Sequence, residues 1–109
     1  MPTAVDTQNH IQLRGRLSGD PEERTLPSGD AVVSFRLVVN RARPREGGPT
    51  IDTFDCVAWT AALRRRVLKL EPGDELAVVG ALRRRFWKSA AGSVSKCEVE
   101  VAELRRLSS

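Results

Sequence analysis

The chain has 109 residues and a formal net charge of +4, a length that suits one compact domain and leaves no room for a second. No window approaches the ~20 consecutive apolar residues of a membrane span, and the opening MPTAVDTQNH has neither the basic nor the apolar region of an export signal. Membrane and exported classes are therefore excluded, and a cytoplasmic location is expected. Of the 18 cations, 15 are arginine. The flat, weakly hydrated guanidinium suits phosphate and stacks on rings, although a GC-rich genome enriches arginine too.

Period-two alternation, the mark of half-buried strands, dominates the chain. In the first stretch, His10 to Leu17, Ile11, Leu13, Gly15 and Leu17 share one face and Gln12, Arg14 and Arg16 the other. Pro21 and Pro27-Ser28-Gly29-Asp30 mark turns. The second stretch, Ala31 to Asn40, turns Val33, Phe35, Leu37 and Val39 inward and Ser34, Arg36, Val38 and Asn40 outward. A loop from Arg41 follows, with Arg41, Arg43 and Arg45 at spacing two before Gly47, Gly48 and Pro49.

The third stretch, Ile51 to Trp59, alternates Phe54, Cys56 and Ala58 with Thr53, Asp55, Val57 and Trp59. Thr60 is placed to cap a helix over Ala61 to Leu70, with Leu63, Val67 and Leu70 on its apolar face and Arg64, Arg65 and Lys69 in water; Pro72-Gly73 ends it. In the fourth stretch, Glu75 to Trp87, Leu76, Val78, Gly80 and Leu82 face inward and Ala77, Val79, Ala81, Arg83, Arg85 and Trp87 outward. The fifth, Val94 to about Leu107, sets Cys97, Val99 and Val101 inward and Lys96, Glu98 and Glu100 outward.

This order predicts an all-β protein: a five-stranded OB-fold Greek-key barrel with one short helix between the third and fourth strands. A single domain over 1–109, with its core about 9–107, accounts for the chain. An SH3-like barrel is the competing shape, disfavoured by the length of the helix.

Residues two apart on a strand share a face and stand about 6.6–7 Å apart, so Arg83, Arg85 and Trp87 line up. Unpaired nucleotides need cations for their phosphates and flat rings for their bases, each stack being worth about 1–3 kcal/mol. Trp59 offers a second ring, and Arg14, Arg36, Arg41 and Arg43 extend the positive charge. For Trp59 the readings of stacking platform and of core or subunit interface both stand. Phe35 reads as core, Phe54 as core or subunit interface, and Phe86, on the opposite row from Trp87, as packing. Arg64-Arg65-Arg66 reads as a solvated helix face. Glu98, Glu100 and Glu103 place acids on the outer face of the fifth stretch, which is expected to repel phosphate and to segregate charge away from the arginines.

No catalytic set emerges. His10 is the only histidine and reads as a surface or strand-end residue; Asp52 and Asp55 fall on opposite rows and do not share a metal. Cys56 and Cys97, 41 positions apart, read as reduced core thiols, with a disulfide between neighbouring strands as the alternative. A non-enzymatic protein without cofactor or metal is expected.

Several fragments together carry a family resemblance. They are Gly15-Arg-Leu-Ser-Gly-Asp-Pro-Glu, Ser28-Gly29 with Ala31-Val-Val-Ser-Phe-Arg-Leu-Val-Val-Asn, Cys56-Val-Ala-Trp59, Pro72-Gly73-Asp74 and Val79-Gly-Ala-Leu-Arg-Arg-Arg-Phe-Trp87. In this order and spacing, from Asn9 to Leu107, the chain resembles the bacterial single-stranded DNA-binding proteins. The resemblance implies that Trp59 and Trp87 stack on bases and that Arg83 and Arg85 contact phosphates. It further implies sequence-independent binding and protection of single-stranded DNA in replication, recombination or repair, by a homotetramer built of two dimers or by a dimer, associated with the nucleoid.

The departures from the family carry expectations of their own. Thr53 stands where an aromatic is common, charge replaces the loop aromatic near Arg43, and Asp55 stands where a basic residue is common. Binding that leans on phosphates predicts a steep salt dependence. The chain ends at Arg105-Arg-Leu-Ser-Ser without the family's flexible linker and acidic tip, so a tailless form is expected and partners recruited through such a tail are not. The alternative is an OB-fold interaction module of a primosome-type replication-restart assembly with weak single-strand or RNA binding.

Overall fold

The computed structural model describes residues 7–108. Its elements are β1 (Ile11–Leu17), β2 (Glu22–Thr25), β3 (Ala31–Asn40), β4 (Ile51–Ala58), α1 (Ala61–Leu68), β5 (Glu75–Ser89) and β6 (Gly92–Ser108). The strands join in the order β1-β5-β6-β4-β3-β2, and β1 pairs with β3 as well. Five strands thereby close a ring, the OB-fold barrel, and β2 adds a short hairpin strand outside it. The sequence reading passed over β2 because Glu22–Thr25 is exposed along its whole length and has no apolar row. All pairings are antiparallel except β4 with β6, which meet at Cys56↔Val99 and Val57↔Glu100.

The inward rows fill the barrel. Leu17, Phe35, Leu37, Cys56, Leu76, Val78, Val99 and Val101 are buried in one cluster, against which α1 packs Leu63 and Val67, joined by Leu70 just beyond the helix. The helix is held at both ends by polar contacts. Thr60 caps it through Oγ1, which accepts from the backbone N–H of Leu63 at 3.2 Å. The guanidinium of Arg64 donates to the carbonyl oxygens of Trp59 and Ala31, and that of Arg66 to the carbonyl of Leu104. Arg64 and Arg66 therefore tie the helix to the barrel strands, whereas the Arg64-Arg65-Arg66 run reads from the sequence as a solvated face.

Val32, Val38 and Val57 are buried although they lie on outward rows. Val57 sits mid-sheet with Ser34 on one side and Glu100 on the other, and Val38 lies where β1 crosses onto β3, opposite Arg16. Strand closure covers both rows of β3 and β4 at these points.

Two glycines make the closure possible. A Cβ on Gly15 would fall 2.2 Å from the Val38 carbonyl oxygen, and one on Gly80 would fall 2.1 Å from that of Glu100. The β5–β6 register shifts between Val79 and Gly80, a bulge that bends β6 around the barrel.

β1 follows β5 only as far as Ile11↔Gly80. The carboxamide of Asn9 then extends the ladder, donating to the Leu82 carbonyl and accepting from the Leu82 N–H, both at 2.8 Å. Beyond Leu82, among the described residues, β5 and β6 pair only with each other and run on as a two-stranded ribbon to Ser89↔Gly92. Exposure along this ribbon overturns three expectations. Leu82 is 44% and Phe86 72% exposed, and Cys97 is exposed too: the row assignment is right, but no layer of this chain covers that face.

Candidate nucleic-acid interface

Ribbon geometry places Arg83, Arg85 and Trp87 on one row of β5. Trp87 is 42% exposed at the far end of that row, a position in which a ring face stays open to a ligand. The two-residue turn Ala90-Ala91 sets the register so that Arg83 lies opposite Glu98, Arg85 opposite Lys96 and Trp87 opposite Val94. On β3, Arg36 projects from the outward row directly opposite Asp55 of β4. Because the sheet runs β3-β4-β6-β5, Arg36, Asp55, Lys96, Glu98, Arg85 and Arg83 share one continuous outer surface. A shallow groove between this surface and the β1–β2 loop is lined by Arg24, Arg36, Asp55 and Lys96.

The expected segregation of charge is overturned. Arg83 Nε lies 3.4 Å from Glu100 Oε2, Arg85 Nη1 3.3 Å from Glu98 Oε1 and Arg36 Nε 3.7 Å from Asp55 Oδ1, while Lys96 Nζ approaches Asp55 Oδ2 at 3.1 Å. Strand twist brings diagonal neighbours together, so the acids of β6 intercalate between the arginines of β5. Glu98, expected to face water, is only 5% exposed, which makes its contact with Arg85 the one pair of the set with a desolvated carboxylate.

The remaining nominated residues lie elsewhere. Arg14 is on β1 opposite Ala77, at the other end of β5 from Arg83, and contacts Glu75 at 3.5 Å. Arg41 sits at the end of β3 with its guanidinium on Asp52 at 2.9 Å. Arg43 is exposed in the β3–β4 loop and is the one nominated arginine without an ion pair among the described residues. Trp59 follows the last residue of β4 and is half-buried, at the opposite end of the β3–β4 hairpin from Arg41. The fold thus unites Arg36, Arg83, Arg85 and Trp87, sets Arg14 beside the start of β5 and leaves Trp59 just past β4, four positions beyond Asp55. Lys96, Asp55, Glu98 and Glu100 were not nominated for the site. The signal that finds Lys96, Glu98 and Glu100 is the two-residue turn, which fixes the β5–β6 neighbours; Asp55 is found through the β3–β4 register.

Among the described residues no group of three or more His, Cys, Asp or Glu side chains is arranged to hold a metal, and no helix is long and apolar enough to cross a membrane. His10 is exposed just before β1. Cys56 and Cys97 are both free, the first buried and the second exposed. Burial first, then the negative charges of Asp55 and Glu98, push the Cys56 thiol from 9.0 up to about 12, so it stays protonated and inert at neutral pH. A thiol reagent at pH 7.5 is expected to label the native protein once, at Cys97, and to reach Cys56 only after unfolding. Peptide mass mapping reads the outcome, and labelling of native Cys56 would contradict the burial seen here.

Comparison with known proteins gives concordant matches. The model of the Single-strand binding protein family matches residues 8–107. The chain is 35% identical over 85 residues to single-stranded DNA-binding protein A of Bacillus subtilis, covering 77% of this chain and 49% of that one. It is 32% identical over 104 residues to the single-stranded DNA-binding protein of Treponema pallidum, covering 93% and 58%. The chain thus spans about half the length of these curated relatives. Among solved structures, a Plasmodium falciparum SSB complex with ssDNA superposes with a TM-score of 0.77 at 24% identity, covering 96% of this chain and 99% of that one. This likeness shows the fold.

Proposed function

Because this chain belongs to the single-strand binding protein family, we propose that it binds and protects single-stranded DNA without sequence preference and without a catalytic step. The observation that carries the reading is Trp87, 42% exposed at the end of the row that holds Arg83 and Arg85. Exposed indole costs free energy in water and gains it against a base. Arg36, Arg83 and Arg85 serve the sugar-phosphate backbone along the same surface, and Trp87 stacks. Arg41 and Arg43 extend the path into the β3–β4 loop. Trp59 and Arg14 serve a strand that wraps around the barrel, as a ligand longer than one face would. A homotetramer of two dimers is the proposed assembly, and replication, recombination and repair, on exposed strands of the nucleoid, are the proposed settings.

Titration with oligo(dT), followed by tryptophan fluorescence, tests this. Quenching at low salt is expected, and its absence would sink the stacking role. One lost stack is worth about 1–3 kcal/mol, so Trp87→Ala is expected to weaken binding roughly 5- to 150-fold. Trp59→Ala is expected to weaken it less, because that ring is half-buried. Unchanged affinity in Trp87→Ala would return the ring to a packing role between copies of the chain, which sedimentation of the variant would then reveal as a changed mass.

A further inference from the structure

The surface proposed to take DNA is nearly neutral by itself. Four cations on it, Arg36, Arg83, Arg85 and Lys96, are each within 4.0 Å of a carboxylate, and three carboxylates, Asp55, Glu98 and Glu100, supply all of these contacts. A phosphate cannot pair fully with such a guanidinium while the carboxylate keeps it. We propose that Asp55 and Glu100 are intramolecular competitors for the phosphate, so that a single strand binds by exchange, each phosphate displacing one carboxylate from its cation. The proposal rests on the single-strand reading above and adds the residues that set its affinity and salt response.

The consequence follows from ion bookkeeping. A cation that is free before binding releases counterions condensed on the DNA, which gives a slope of about −0.7 in log K against log salt per contact on a single strand. A cation taken from a carboxylate releases the same counterions but leaves behind a free anion that gathers a cation from solution. The uptake offsets part of the release. Exchange therefore predicts a shallower salt dependence than the number of arginines implies, opposite to the steep dependence expected from the sequence. It leaves stacking on Trp87 with a larger share of the affinity.

Glu100 and Asp55 are the residues to test, since their side chains are about two-fifths exposed (43% and 39%) and carry little of the fold. In Glu100→Gln and Asp55→Asn the competitor's charge is gone while shape and hydrogen bonding are retained. Each variant is expected to bind oligo(dT) about 2- to 5-fold more tightly at moderate salt, the range an exposed ion pair is worth. The salt slope is expected to steepen, by up to about 0.7 for each cation freed. Glu103→Gln, on β6 opposite Val79 and without an ion pair among the described residues, makes the same change in net charge and serves as the control. Arg83→Gln in the Glu100→Gln background is expected to abolish the gain, because the competition acts through Arg83.

Equal affinities and slopes in Glu100→Gln, Asp55→Asn and Glu103→Gln would overturn the exchange mechanism while leaving single-strand binding intact. No binding by any of these proteins at low salt would remove the mechanism together with the reading on which it rests. Circular dichroism of each variant establishes that it is folded, and if one carboxylate variant does not fold, the other, measured against Glu103→Gln, carries the test.

Discussion

Arg85→Ala is expected to lose stability and DNA affinity together, whereas Arg83→Ala loses mainly affinity. The difference lies in the partners. Glu100, the partner of Arg83, keeps access to water and is solvated once the guanidinium is gone. Glu98, the partner of Arg85, is 5% exposed and lies close enough to Cys56 to raise its thiol, so its carboxylate has little water to replace the lost partner. Removing one member of a fully buried pair costs about 3–5 kcal/mol. Arg85 is itself about a third exposed, so water reaches its side of the pair and about 1–3 kcal/mol is the appropriate range.

For a domain of this size that corresponds to a fall of about 5–15 °C in Tm. Glu98→Gln in the Arg85→Ala background removes the stranded charge and is expected to restore most of the Tm without restoring affinity. Thermal melts and oligo(dT) titrations of the two singles and the double separate these effects. An Arg85→Ala protein that melts within about 2 °C of the parent would show that Glu98 does not depend on Arg85.

Most of the barrel was legible in the sequence because alternation assigns rows. Leu13, Leu17, Phe35, Leu37, Leu76 and Val78 face the interior as read, and Leu63, Val67 and Leu70 seal it from the helix side. Alternation does not say what lies over a row. Val38 and Val57, on rows facing outward, are buried because β1 and β6 close over or beside them. Leu82, Phe86 and Cys97, on the inward rows, are exposed because β5 and β6 outrun the ring.

The charge pattern failed for a related reason. Alternation orders residues within one strand and says nothing of which residues of β5 and β6 lie side by side. Register puts the arginines of β5 and the glutamates of β6 on the same face, with Arg83 directly opposite Glu98. That register follows from a turn of only two residues, Ala90-Ala91, where the sequence reads as the longer turn Ser89 to Ser93, and the pairs made by Asp55 depend instead on how β3, β4 and β6 meet. Burial of Glu98 was not legible either, since it depends on how β6 leans against β4 at Cys56↔Val99.

Gly80→Ala is expected to be among the most damaging single-methyl changes in the chain. Gly80 lies at the register shift where β6 crosses β5, and the two backbones approach so closely that an added Cβ would sit 2.1 Å from the Glu100 carbonyl oxygen and 3.2 Å from Val101 Cα. Neither obstacle is a flexible side-chain tip. Relief requires β5 and β6 to separate by about an ångström at the crossing, against the ladder on both sides. Overpacking of this kind costs about 1–3 kcal/mol, and the absence of a movable side chain puts this case at the upper end, a fall of about 10–15 °C in Tm.

The same displacement moves Glu100, whose side chain holds Arg83. Binding by any Gly80→Ala protein that remains folded is therefore expected to acquire the steeper salt slope of Glu100→Gln. Ala81→Ser, the next residue on the half-exposed row, changes a side chain without touching the crossing and is expected to melt close to the parent. Equal Tm values for Gly80→Ala and Ala81→Ser would mean that the crossing is looser in solution than 2.1 Å implies. The bulge would then bend β6 without needing glycine opposite it.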